Sequence, residues 1–170
     1  RTMVLIIPLI LIAFAFIYYF VLSDARAKHR AEQSAYPVYY PHSSVNVWQT
    51  QLAGIKYQCT RDDIGVVVFA VKPDRDNPYD ESAMAVIRDD GKLLGYIDKK
   101  ELSLYNEWCK GEVCSGIGII NYDEETHRLW GELMVLGPDL TDEETAAEFQ
   151  QYIDWTTEHY GSDYIPERYR

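Results

Sequence analysis

Cysteine, histidine and glycine are all scarce in this chain, and each scarcity removes a class of function. The three cysteines in 170 residues, Cys59, Cys109 and Cys114, are an odd number without the spacing of a disulfide framework, which reads as free thiols in a reducing compartment. Cys109-x4-Cys114 followed by His127 has a gap wider than the usual zinc-ligand pair and lacks a fourth ligand, so no metal site is expected. The four histidines, His29, His42, His127 and His159, contain no His-x-x-x-His pair and fall in expected linker, hairpin and helix-end positions. There is no glycine-rich phosphate loop, and no serine or cysteine has a candidate base nearby. Asp62-Asp63 and Asp89-Asp90 fit turns, where an aspartate side chain bonds the local backbone. No catalytic constellation and no cofactor are expected, and an enzyme is the reading with least support.

Positive charge is also short. Sixteen Lys and Arg face 27 Asp and Glu, for a net charge of −11, with residues 1–44 carrying +2, residues 45–136 −6 and residues 137–170 −7. Phosphate is repelled by such a chain at long range, so any contact with nucleic acid must rest on a local patch and be weak and salt-sensitive.

Only one long apolar run exists. Residues 3–22, MVLIIPLILIAFAFIYYFVL, are twenty residues without a charge. At about 1.5 Å of rise each they span roughly the 30 Å hydrocarbon layer, which predicts a single transmembrane helix. Pro8 sits near its start, where a membrane helix tolerates it, and Tyr18 and Tyr19 sit where an interfacial aromatic belt belongs. Ala25-Arg26-Ala27 has the form of a signal cleavage site, but the run is longer than a signal peptide's apolar region and only Arg1 precedes it. Arg26, Lys28, His29 and Arg30 follow the run, so the remainder is expected on the cytoplasmic side of a membrane.

Residues 23–44 read as a linker, ending in a Pro, Tyr and Ser stretch without hydrophobic period. Short β-branched and aromatic runs then predict strands near Val45–Leu52, Lys56–Cys59, Val66–Lys72, Ala83–Arg88, Leu93–Ile97, Val113–Tyr122 and Leu129–Val135, with Asp89-Asp90-Gly91-Lys92 as a hairpin turn. That spacing suggests a small barrel or sandwich. A helix is expected over Lys99–Lys110, stopped by Gly111. A second should start at Thr141, in capping-box relation to Glu144, and bury Phe149, Tyr152, Ile153, Thr156 and Tyr160 while keeping an acidic outer side.

Three elements stand in order within residues 45–136: Gly54-Ile55-Lys56-Tyr57, then Asp76-Asn77-Pro78-Tyr79-Asp80-Glu81-Ser82-Ala83, then Gly91-Lys92-Leu93-Leu94-Gly95-Tyr96. Their sequence and spacing resemble the HIRAN domain. The resemblance implies a mainly β fold, a small OB-like barrel with two helices, and binding to the 3′ end of a single-stranded nucleic acid. It points to Lys56, Tyr57, Asn77, Tyr79, Asp80, Tyr96 and Lys99 as the binding face. On that face Tyr57 and Tyr79 can stack on bases, Lys56 and Lys99 can hold phosphates, and Asp80 can accept a hydrogen bond from a free 3′-hydroxyl while repelling a 3′-phosphate. Lys56 stands where the family often has Arg, which loses the bidentate fork, and Tyr96 stands where some members have His. The chain is too short for the helicase motor that often accompanies the family.

Local chemistry alone also explains part of this: Asn77-Pro78 makes a turn, and Asp80 caps the amide of Ser82 or Ala83. The expected division is a transmembrane helix over 3–22, a linker over 23–44, the barrel over 45–136 and an acidic helical extension over 137–170. The expected partners are a single-stranded nucleic-acid end and a membrane. The alternative is a protein-interaction adaptor at the cytoplasmic membrane face, with no nucleic acid. No small-molecule substrate is evident.

Overall fold

The computed structural model describes residues 36–41 and 46–170. The run at 3–22, and with it the expected membrane helix, lies outside the described residues. Among the described residues, no helix is long and apolar enough to cross a membrane.

Tyr39–Arg170 form one compact unit built on six antiparallel strands. These are β1 (Val47–Ala53), β2 (Gly65–Pro73), β3 (Met84–Arg88), β4 (Leu93–Ile97), β5 (Cys114–Asp123) and β6 (Arg128–Leu136). They close into a barrel in the order β1-β4-β3-β2-β5-β6, because β1 pairs at one end with β4 (Ala53 opposite Tyr96) and along most of its length with β6 (Val47 opposite Leu136). The seam that closes it is short, with Leu52 opposite Ile97 and Ala53 opposite Tyr96. The architecture is therefore mainly β, as the sequence pattern and the resemblance both imply.

Period-two alternation sorts the side chains into two cores. On β2, Val67, Phe69 and Val71 point into the barrel with Leu94, Leu133 and Val135. Val66 and Val68 point out, into a second cluster with Met134, Leu136 and the apolar face of the last helix. That helix, α3, spans Asp142–Tyr160 once the two shorter helices before it are counted. It starts at Thr141, whose hydroxyl accepts from the Glu144 amide at 3.2 Å while Glu144 accepts from the Thr141 amide at 2.8 Å. Such a box contributes on the order of 1 kcal/mol. Phe149, Tyr152 and Ile153 pack on the barrel as the stripe predicts, and Thr156 is fully buried.

The first helix, α1 (Ile55–Gln58), replaces the strand expected over Lys56–Cys59. Gly54 at φ 75° turns the chain out of β1 in a conformation that side chains resist. Ile55 and Cys59, four residues apart, then bury one face of the turn. α2 (Leu102–Trp108) is shorter than the expected Lys99–Lys110 and ends before Lys110 and Gly111, both at positive φ. Its Tyr105 and Trp108 pack against Trp48 of β1, with ring centroids 5.9 and 5.7 Å away.

All three cysteines are free and buried. Cys114 opens β5 and His127 lies beyond its far end, so roughly 25–30 Å of strand separates them and no shared ion can join them. Among the described residues no group of His, Cys, Asp and Glu side chains is placed to hold a metal.

Candidate nucleic-acid interface

The loop between β2 and β3 is a chain of nested turns. The Asn77 side-chain oxygen accepts from the amides of Tyr79 (2.9 Å) and Asp80 (3.2 Å), an Asx turn of the kind Asn favours before proline. Asp80 repeats the device one step on: its Oδ1 accepts from the Ser82 amide at 3.0 Å and from the Ser82 hydroxyl at 2.6 Å. Asp74 starts the loop by donating its amide to Ala83 across the base at 2.9 Å. With the backbone fixed from both sides, the Tyr79 ring is left 93% exposed.

The capping role expected of Asp80 is thus real, but it occupies only one oxygen. Oδ2 faces the Lys99 ammonium at 3.3 Å, and Lys99 is itself 83% exposed. The Ser82 hydroxyl and amide, with a smaller part from Lys99, hold the Asp80 carboxyl below its ordinary range, so it is ionised at neutral pH. A ligand hydroxyl can approach Oδ2 by displacing or sharing a solvated lysine.

The floor beside this loop is set by β4. Gly95 lies where an added Cβ would overlap the Ala53 carbonyl oxygen, so only glycine lets β1 approach β4 this closely. The approach brings Tyr96 opposite Ala53 and next to Gly54, at the root of α1. The Tyr96 hydroxyl donates to Asp74 at 3.0 Å, and burial, then Asp74, pushes its phenol up. Because Ile55 and Cys59 hold the inner face of α1, Lys56 and Tyr57 are turned outward. The Lys56 ammonium lies 4.6 Å from the centre of the Tyr57 ring, and that ring is 76% exposed.

Direct contacts thus join Asn77 and Asp80 within the loop and Lys99 to Asp80, while Tyr96 is tied to the loop through Asp74. Lys56 and Tyr57 enter on α1, which is fixed against Tyr96 through Gly54. Asp74 is the member the sequence reading missed: it looks like another loop acid until Tyr96, 22 residues later, is seen to donate to it.

No family model matches the chain, and no curated protein does. The crystal structure of the HIRAN domain of human HLTF is 16% identical, covering 67% of this chain and 88% of that one, with a TM-score of 0.35. The NMR structure of the HLTF HIRAN domain in its DNA-bound conformation is 18% identical, covering 68% and 89%, with a TM-score of 0.38. The chain is similar to both.

Proposed function

We propose that the loop from Asp74 to Ser82, β4 and α1 form a slot for the 3′ end of a single-stranded nucleic acid. The observation that carries this is the division of labour on Asp80, whose Oδ1 closes the turn while its ionised Oδ2 stays at the surface beside Lys99. Tyr79 and Tyr57 offer two exposed ring faces, each able to contribute about 1–3 kcal/mol by stacking on a base. Lys56 and Lys99 supply the phosphate contacts, Asn77 holds the loop that presents Tyr79 and Asp80, and Tyr96 forms the floor. An ionised carboxylate beside a single lysine favours a hydroxyl end and repels a phosphate end. The resemblance of the three sequence elements to the HIRAN domain points the same way.

The test uses the full chain in a neutral detergent with short fluorescent single strands ending in 3′-hydroxyl or 3′-phosphate. The expected result is a preference for the hydroxyl that Asp80→Ala abolishes. Equal binding of both ends, or a preference that survives Asp80→Ala, overturns the reading.

One observation favours the adaptor alternative: Asp74, Asp76, Asp80 and Glu81 lie within five positions of Tyr79 in the chain with Arg75 the one cation in that stretch, an acidic segment better matched to a basic protein partner than to phosphate. Absence of any oligonucleotide binding at low salt would leave that reading standing. In either case the run at 3–22 is proposed to hold the module at a membrane with the basic flank inside. Release of the protein by alkaline carbonate extraction would overturn the tether.

A further inference from the structure

A groove opens between α1, the turn that follows it and the β5–β6 hairpin. It is an open groove of about 750 Å³, and Lys56, Tyr57, Arg61, Tyr122, His127 and Arg128 line it. Three of these are cations, three are rings, and no carboxylate is among the lining residues, in a chain whose net charge is −11. Such segregation of charge against the overall balance marks a place for an anion.

The acids nearby are occupied or exposed. Asp123 Oδ1 accepts from the amides of Glu125 and Thr126 at 2.9 and 3.3 Å, which ties its carboxylate to the hairpin turn. Glu124 reaches Arg61 only at 3.8 Å, with both side chains exposed, so solvent screens that pair and a bound phosphate can replace it. Arg61 is also stacked: its guanidinium carbon lies 3.8 Å from the centre of the Tyr122 ring. The Tyr122 hydroxyl in turn bonds His127 Nδ1 at 3.3 Å, which fixes the ring. The guanidinium is therefore held against Tyr122, and its solvated pairing with Glu124 is one that a phosphate can replace with the bidentate contact arginine favours.

Lys56 and Tyr57 belong to both the groove and the slot. The lining of the groove mixes cations with rings, the two kinds of side chain a nucleic-acid strand uses. We propose that this groove carries the sugar-phosphate backbone of the nucleotides preceding the end, with Arg61 and Arg128 each binding one phosphate. The protein would then grip several nucleotides rather than the terminal ones alone. The polarity of the strand in the groove rests on the end-binding reading above, whereas the groove's preference for a polyphosphate backbone does not.

The experiment measures binding of 3′-hydroxyl single strands of about two to eight nucleotides to the full chain in neutral detergent, over a range of salt. Affinity should climb with length up to about five or six nucleotides and then level off. In the double variant R61Q/R128Q the climb should vanish, with long strands bound about tenfold more weakly and the salt slope lower by about 1.4, roughly 0.7 for each lost phosphate contact. The hydroxyl preference should remain. Both arginines are exposed, so the variant should fold, and its urea midpoint verifies this. Hydroxyl-selective binding that ignores length, or a climb that survives in R61Q/R128Q, overturns the groove while the slot stands. A climb lost in the variant but blind to 3′ chemistry supports the groove and overturns the slot. Binding of a fluorescent glutamate-rich peptide that R61Q/R128Q abolishes, without any length dependence for oligonucleotides, overturns the strand in favour of an acidic protein segment.

Discussion

Asp63 and Asp80 are built from the same parts and lie in different surroundings. Each closes a turn, Asp63 by accepting from the Thr60 amide at 2.8 Å and Asp80 by accepting from Ser82, and each meets a lysine that follows later in the chain. The side chain of Asp63 is only 4% exposed, and it is saturated: Arg88 donates to Oδ1 at 2.9 Å and Lys92 reaches both oxygens at 2.7 and 2.6 Å. The side chain of Asp80 is 24% exposed and shares one oxygen with a solvated lysine. A carboxylate buried under two cations is committed to the fold, since its charge has nowhere else to go. One left at the surface can exchange its partner for a ligand.

Removing the buried acid should therefore have the largest effect. Asp63→Ala strands Arg88 and Lys92 beside a half-closed cavity, and a loss of about 3–5 kcal/mol is expected from the urea midpoint. A loss under about 1 kcal/mol would mean that Asp90, which pairs with Arg88 at 2.6 Å, already satisfies the site and that the contrast with Asp80 is false. Gly95→Ala comes next. Its Cβ would overlap the Ala53 carbonyl, so about 1–3 kcal/mol should be lost, and Tyr96 should be displaced from its bond to Asp74.

The same comparison has a pH signature. Burial raises the Asp63 carboxyl, but Lys92, the Thr60 amide and Arg88 together outweigh it and hold the group below its usual value. A depressed carboxyl contributes its stability in full above the unfolded value of about 3.9 and loses it as pH falls through the folded value. The gap in stability between the wild type and Asp63→Asn should stay flat from pH about 7 to 5 and narrow below about 4. A gap that narrows as pH rises above neutrality would mean that a different group controls it.

The parts of this molecule that depend on near neighbours were legible in the sequence. Alternation located the strands to within a residue or two, Asp90-Gly91 gave the hairpin, and Thr141 with Glu144 gave the start of α3. The nested turns of Asn77 and Asp80 follow from local side-chain chemistry. What depends on closure was not legible. The stretch after Gly54 carries strand-like residues and folds as a helical turn, because β1 must leave the sheet there to let Gly95 approach it. Asp62-Asp63 reads as a turn, and it is one, but nothing local shows that Arg88 and Lys92, 25 and 29 residues on, converge on it. The groove has the same origin: Arg61 and Arg128 are ordinary surface charges until the barrel brings α1 beside the β5–β6 hairpin.

The smallest effects on folding should fall on the slot, and there they are the informative ones. Asp80→Asn keeps an oxygen to accept from Ser82, so the urea midpoint should stay close to that of the wild type while the preference for a 3′-hydroxyl declines. Tyr79→Ala separates the two regions most sharply. The ring is 93% exposed and its backbone is held by Asn77, so its removal should leave the midpoint unchanged. Loss of one stacked base should nevertheless weaken binding by about tenfold, the equivalent of 1.4 kcal/mol and within the range for a base on an aromatic ring. If Tyr79→Ala lowers the midpoint as Gly95→Ala does, the ring supports the loop and is not held out for a ligand, and the surface acid beside it loses its claim to be anything other than a cap.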